Sequence, residues 1–486
     1  MSSSWTSLDA AIVGSGPNGL AAALSLARAG LSVEVFEGSS SPGGGCRTQE
    51  LTLPGFHHDV CSTIQSMVTI SPFFRAFPDV RDAVSLLKPD VVMAHPLDGG
   101  HAVCVEGSVA QTARSLGADG DRYRRLFSPL VDDADALAAL VLAPLRSLPR
   151  SPLTMARFGL NGLSSATHLA KRFATPEAKA LIAGLCSHAM SPLDAPATSA
   201  FGLFLNVTAH VGGWPVVKGG SGNLTNAFVT ALNNEGVIVH VDRPIHNLGD
   251  LPRSRATLFD TSAWGLVDIA GDHLSARYKA GVTRFQRGPG VFKIDWALSG
   301  PVPWSAEPCR RAATVHVGGT FNEVASCEKD VARGRHPEKP FCIVVQASVV
   351  DDTRAPIGQH TLWAYCHVPN GSDVDMTERI ENQIERFAPG FRDLILARVA
   401  TSTADGERHN PNYVGGDITG GAGTLRQTLL RPTARWNSYR TGTPGLYLCS
   451  ASAPPGGGVH GMCGYGAARA VLADLKVRHS SRSDQS

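Results

Sequence analysis

The 486-residue chain has no CxxC pair: its ten cysteines stand apart at 46, 61, 104, 186, 309, 327, 342, 366, 449 and 463. That spacing excludes the common zinc patterns and the thioredoxin-type dithiol, and the density is far below that of a disulfide scaffold. Thinly spread thiols suit a reducing compartment, so a cytoplasmic location is expected. Long runs of one charge are also missing, and 44 basic against 42 acidic residues leave a net charge of +2. Bulk electrostatics therefore recruits no nucleic acid. The opening MSSSWTSLDAAIVG has no basic region ahead of an apolar one and does not read as a secretory signal. The most apolar segment, 134–148, carries Asp135, Pro144 and Arg146 and is too short to span a bilayer, although contact with a membrane surface stays open. Tyrosine is scarce, at seven.

Glycine, by contrast, is plentiful at 51 residues, and 43% of the chain is hydrophobic. A soluble protein with many tight turns, a large core and two or three domains is expected. The first unit is legible: a buried strand at 10–14, the turn Gly14-Ser15-Gly16-Pro17-Asn18-Gly19, a helix closed by Gly30, and a second strand ending on Glu37. This is a βαβ unit with a dinucleotide fingerprint. Gly14 permits the turn, Gly16 lets the backbone approach a pyrophosphate, Gly19 lets helix and strand pack, and Glu37 accepts from ribose hydroxyls. The helix start offers free N–H groups and the positive end of its dipole to the diphosphate.

Further on, 91–105 reads as a hairpin turning at Asp98-Gly99-Gly100, and 108–200 as helices broken by prolines including Pro129. A glycine turn leads into a helix from about Asn223 and a strand at 236–241, and 290–370 is rich in β-type runs. The last strand, 445–450, delivers the chain to PPGGGVHGMCGYGAARAV, residues 454–471.

NAD and FAD share the first fingerprint. Soon after Glu37 comes Gly43-Gly44-Gly45-Cys46-Arg47-Thr48, which resembles the second glycine motif of FAD proteins related to amine oxidases and phytoene desaturases. There the glycines pass under the flavin and the arginine neutralises phosphate. Cys61 lies too far from Cys46 for dithiol chemistry, so Cys46 is read as packing. The segments 54–62, 212–228, 288–304, 360–369, 410–418 and 445–468 extend the likeness along almost the whole chain, which resembles the phytoene-dehydrogenase-like branch of FAD oxidoreductases. Two departures are Gln65-Ser66 after GFHHD and Ser262-Ala263 after FDT.

That resemblance implies FAD as cofactor and an α/β fold. A Rossmann-type FAD domain is assembled from discontinuous segments, about 1–75, 212–300 and 415–486. An α+β substrate domain, about 76–211 and 301–414, has a β-sheet floor and a helical cap, and 479–486 form a disordered tail. Lys293 takes the place of a lysine that holds water against flavin N5, and His460 is a candidate for proton transfer. His58, Asp59 and Ile245 join the cofactor contacts, as do Gly457, Gly458, Val459 and Met462 at the turn and helix start near the flavin. His57 and Trp214 are placed beside substrate. No metal site is expected. The activity implied is hydride transfer from a C–H or C–N bond of a largely apolar, isoprenoid-like substrate, with oxygen or a quinone as electron acceptor. Two alternatives are kept: an FAD-containing interaction protein at a membrane surface, and an amine oxidase.

Overall fold

The computed structural model describes residues 8–143 and 151–477; the tail expected at 479–486 lies outside them. Two sheets organise the chain. The first is wholly parallel, in the spatial order Leu446–Leu448, Ser254–Phe259, Leu8–Val13, Val33–Phe36, Ile238–His240. Its strands are near-continuous apolar runs because helices cover both faces. The chain enters at the middle strand, Leu8–Val13, and builds outward to both sides, which opens a crevice at the carboxyl ends of the strands. Helix Pro17–Ala27 begins on a proline, whose missing N–H is no loss in the first turn. It packs against helices Gly222–Asn234 and Met462–Asp474.

The second sheet has seven strands in the order Ile395–Thr401, Gly290–Leu298, His360–Val368, Cys342–Val345, Ala312–Val317, Val91–Leu97, His101–Glu106. Every pairing is antiparallel except Ala312–Val317 with Val91–Leu97. The hairpin turn at Gly99 and Gly100 has φ of 90° and 77°, the left-handed geometry that glycine tolerates. Helices Gly120–Asp132, Pro176–Ser187 and Thr198–Gly212 share one core with this sheet through Phe127, Leu185, Leu203 and Val345. Pro129 does not break the first of these, which buries Tyr123, Phe127 and Leu130 through its length.

Two details differ from the reading of the sequence. Strand Gly290–Leu298 pairs along its whole length with His360–Val368 and on its other edge with Ile395–Thr401. It therefore belongs to the seven-stranded sheet, and the segment boundary drawn at 300 falls ahead of 290. Strand Ser254–Phe259, with Ser-Arg at its start, goes unmarked in the sequence reading, yet it is the immediate neighbour of the first strand.

Candidate functional site

A cavity of about 1000 Å³ opens at the carboxyl end of the parallel sheet and runs between the two halves of the molecule. Gly14, Gly16, Pro17, Asn18 and Glu37 line it, with Gly44, Gly45, Arg47, Ile245, Gly458 and Val459. Gly14 turns with a φ of 94°. Gly19 lies behind it, where a Cβ would stand 2.3 Å from the Gly14 carbonyl oxygen, so the helix meets the strand backbone to backbone. The Glu37 carboxylate accepts from Ser15 N–H at 3.0 Å, Ser15 Oγ at 2.5 Å and Ser39 N–H at 2.9 Å, and is thereby held in one orientation at the cavity wall. Arg47 is 7% exposed, donates from Nε to the Gly44 carbonyl at 2.9 Å and pairs with no carboxylate among the described residues.

Other expected site residues lie behind this wall. Gly43, with φ 118°, holds the glycine loop under the cavity. Thr48 Oγ1 donates to Asp59 Oδ1 at 2.7 Å. That oxygen also accepts from Ser221 N–H at 2.8 Å, which ties the loop to helix Gly222–Asn234. The other Asp59 oxygen takes Arg354 Nη2 at 2.9 Å, and the His57 carbonyl accepts from the same guanidinium. His58 stands 3.4 Å from Asp295, which pairs in turn with Lys293. Lys293 is thus a buried member of an ionic network; its Nζ also donates to the Asp59 carbonyl at 3.3 Å and sits 5.4 Å from the Trp363 ring centre.

The last glycine turn contributes Gly458 and Val459 to the cavity, while a Cβ on Gly457 would stand 3.2 Å from the Thr419 backbone. His460 is fully engaged: Nε2 meets the Gly456 carbonyl at 3.1 Å and Nδ1 accepts from Met462 N–H at 3.0 Å. Burial pushes its pKa down to about 4, so it is a neutral clasp for the turn, with no ring nitrogen left for a ligand. The Met462 N–H is consumed by that clasp. Trp214 lines the cavity at the cap end, its indole N–H donating to Thr208 Oγ1 at 2.9 Å.

The cavity also has residues that reading the sequence missed: Asp260, His188, Thr314, Trp363, Tyr365 and Tyr413. Asp260 directly follows the missed strand, and the rule that ligands bind at carboxyl ends of parallel strands would have found it. Its Oδ2 accepts from Gly19 N–H at 2.8 Å. Burial pushes this carboxyl well above the usual carboxylate range, and the nearby Glu37 charge adds to the effect. A raised acid binds more protons folded than unfolded, so its contribution to stability is complete below the unfolded value near 4 and is lost as pH rises through the folded one. Asp260→Asn, stripped of cofactor, is accordingly expected to melt above the wild type at pH 8, the two converging toward pH 4. Melting curves parallel in pH would contradict this.

The match to known proteins agrees with this geometry. Residues 12–77 fit the family model of an NAD(P)-binding Rossmann-like domain. The chain is 25% identical to the mouse pyridine nucleotide-disulfide oxidoreductase domain-containing protein 2, over 96% of this chain and 94% of that one. It is 26% identical to a zeta-carotene-forming phytoene desaturase from Myxococcus xanthus, over 82% of this chain and 78% of the other. Putrescine oxidase bound to putrescine superposes with a TM-score of 0.62 at 18% identity, covering 97% of this chain and all of that one (100%). The ten cysteines are all free, and burial pushes the thiols of Cys46 and Cys61 up, so neither is poised for disulfide exchange. The residues present fit FAD: a buried guanidinium with no carboxylate partner among the described residues, an oriented carboxylate and a glycine-lined helix start meet along one wall. Along almost its whole length the chain is thus similar to the mouse protein, over about four fifths of it to the phytoene desaturase, and it shares the fold of putrescine oxidase.

Proposed function

We propose that the protein is an FAD-dependent dehydrogenase or desaturase that removes hydride from a C–H or C–N bond of a largely apolar, isoprenoid-like molecule. The observation that carries this is the continuity of one cavity from the Gly14-to-Glu37 cradle to walls made by Leu205, Trp214, Ile343, Val345 and Trp363. Bound FAD supplies the hydride acceptor, later reoxidised by oxygen or a quinone. The chain's own part is to orient and to exclude water. Glu37 would accept from the ribose hydroxyls of the cofactor and Arg47 would neutralise its diphosphate, and the apolar walls seat the largely apolar substrate. The ammonium of Lys293, paired with Asp295 and 5.4 Å from the Trp363 ring centre, supports that wall from behind.

The amine-oxidase alternative is less well supported. Trp363 and Tyr365 stack at 5.9 Å between ring centres and 10° between planes. A group held between two rings needs about 7 Å, twice a carbon contact distance. The aromatic pair is therefore a wall and not a cage. On the outer face of the cap, Leu153, Leu160 and Leu163 are 60%, 83% and 63% exposed on and beside helix Pro152–Gly162. We read this patch as contact with the membrane surface from which an apolar substrate would enter. Co-sedimentation with phospholipid vesicles, lost in Leu160→Glu with Leu163→Glu, is the expected result, and wild-type protein left in the supernatant would refute it. No helix among the described residues is long and apolar enough to cross a membrane.

The main test is spectroscopic. Purified protein should show a flavin spectrum and release FAD on denaturation, identified by mass. Dithionite-reduced protein should reoxidise with air or a quinone, and Lys293→Met should slow this by about tenfold or more. Flavin-free protein, or a flavin inert to every acceptor, would sink the proposal.

A further inference from the structure

The cap end of the cavity is built by strands Ala312–Val317, Cys342–Val345 and His360–Val368 and by helices Pro176–Ser187 and Thr198–Gly212. These elements, with the residue that follows Pro176–Ser187, line it with Leu205, Ile343, Val345 and Trp363, and with polar atoms from His188, Thr314 and Tyr365. None of them puts a carboxylate there.

His188, which caps helix Pro176–Ser187, meets the buried His316 through their two Nε2 atoms at 3.0 Å. The direction of this bond follows from what surrounds it. His95 Nε2 lies 2.6 Å from the Gly319 carbonyl, which can only accept, so His95 keeps its proton there and has a bare Nδ1. That Nδ1 and the Nδ1 of His316 both face the space beside Gly184, standing 2.8 and 2.7 Å from where a Gly184 Cβ would be, and His316 Nδ1 has no partner. A buried N–H without an acceptor is costly, so His316 carries its proton on Nε2 and donates it to His188. His188 Nε2 is then the acceptor, and its single proton sits on Nδ1, which has no partner among the described residues. Burial holds both rings neutral, pushing His188 down to about 3. Thr314, two residues before His316 and so on the same face of the strand, has a buried Oγ1 that lines the cavity without any hydrogen bond.

We propose that the substrate carries a neutral oxygen function, a hydroxyl or carbonyl, which accepts from His188 Nδ1–H and pairs with Thr314 Oγ1 at the cap end of the cavity. This rests on the reading of the cavity as the substrate site. A bare hydrocarbon would leave both protein groups unpaired. An ammonium has no lone pair to offer the His188 N–H and would meet no carboxylate, and a carboxylate would find only neutral imidazole to balance it. His188 and Thr314 are therefore specificity-determining, and they separate an oxygenated substrate from both a plain alkene and an amine.

The test is binding to FAD-loaded protein, followed by the change in the flavin spectrum and by calorimetry. The probes are four ten-carbon monocyclic terpenoids that differ only in one terminal group: hydrocarbon, primary alcohol, aldehyde and primary amine. Alcohol and aldehyde should bind at least about tenfold more tightly than hydrocarbon or amine. His188→Phe, and independently Thr314→Val, should shrink that preference to within about twofold while hydrocarbon binding is kept, which also reports that each variant is folded. Equal binding of all four by wild type, tightest binding of the amine, or a preference untouched in both variants would overturn the proposal alone. No binding of any of the four would overturn it together with the reading of the cavity.

Discussion

Gly464→Val is expected to yield protein that neither folds stably nor retains flavin. A Cβ at this position would stand 1.8 Å from the carbonyl oxygen of Asn18 and 2.9 Å from the amide nitrogen of Ala22. Both are backbone atoms of helix Pro17–Ala27, whose first turn faces the cofactor cavity. No rotamer change relieves a contact with backbone, so helix Met462–Asp474 would have to lift away from its partner. Forcing atoms into a packed core typically costs about 1–3 kcal/mol, and a shift of a whole helix should reach or exceed the upper end. The ratio of flavin to protein absorbance and the melting temperature check this together. Gly159→Ala is the control: it lies in a helix, nothing is within 4 Å of its Cβ position, and the change should leave stability equal or raised by about 0.5–1 kcal/mol. A fully yellow Gly464→Val protein with unchanged melting would refute the close approach of the two helices.

Arg354→Met should have an effect of similar size through electrostatics. Arg354 is 1% exposed and ties its own segment to residues 57–59, some 300 positions earlier in the chain. Nε donates to Asp351 at 2.8 Å, Nη2 to Asp59 at 2.9 Å and Nη1 to the His57 carbonyl at 3.3 Å. Burial alone would raise the Asp351 carboxyl, but hydrogen bonds from Thr353, Arg354 and the Gly219 N–H more than offset this and hold it below the usual range. Removing the guanidinium leaves two buried carboxylates uncompensated, at a cost of about 3–5 kcal/mol. The pH dependence has a definite sign. A depressed acid contributes stability above its unfolded value near 4, lost as pH falls through the lower folded value. The deficit of Arg354→Met, read from denaturant midpoints, should therefore be largest at neutral pH and shrink below about pH 4. A deficit independent of pH would mean that packing alone is lost.

These two positions show what a sequence discloses and what it withholds. The GSGPNG turn, the hairpin at Asp98-Gly99-Gly100 and the helix after the last glycine turn were legible because glycine geometry and apolar spacing are local rules. Lys293 could be singled out by resemblance, but its burial against Asp295 and Trp363 is decided by the register of strands far apart in the chain. His460 looked available for chemistry because nothing in the sequence shows both ring nitrogens turned onto its own loop. The boundary at 300 failed for a related reason: a β-rich run does not say which sheet it joins. Asp260 and the His188–His316 pair were invisible because each depends on a pairing between distant segments.

The contact between helices Pro17–Ala27 and Met462–Asp474 also orders events during synthesis. The first βαβ unit leaves the ribosome long before the helix that completes its outer layer, and at roughly 5–20 residues per second the delay is tens of seconds. During that interval the apolar back of the first helix, Leu20 to Leu26, which the finished fold buries, lacks its last cover. Flavin capture is then a late step, following translation of residue 474, and the yield of active protein should track the supply of FAD at the end of synthesis and not at its start.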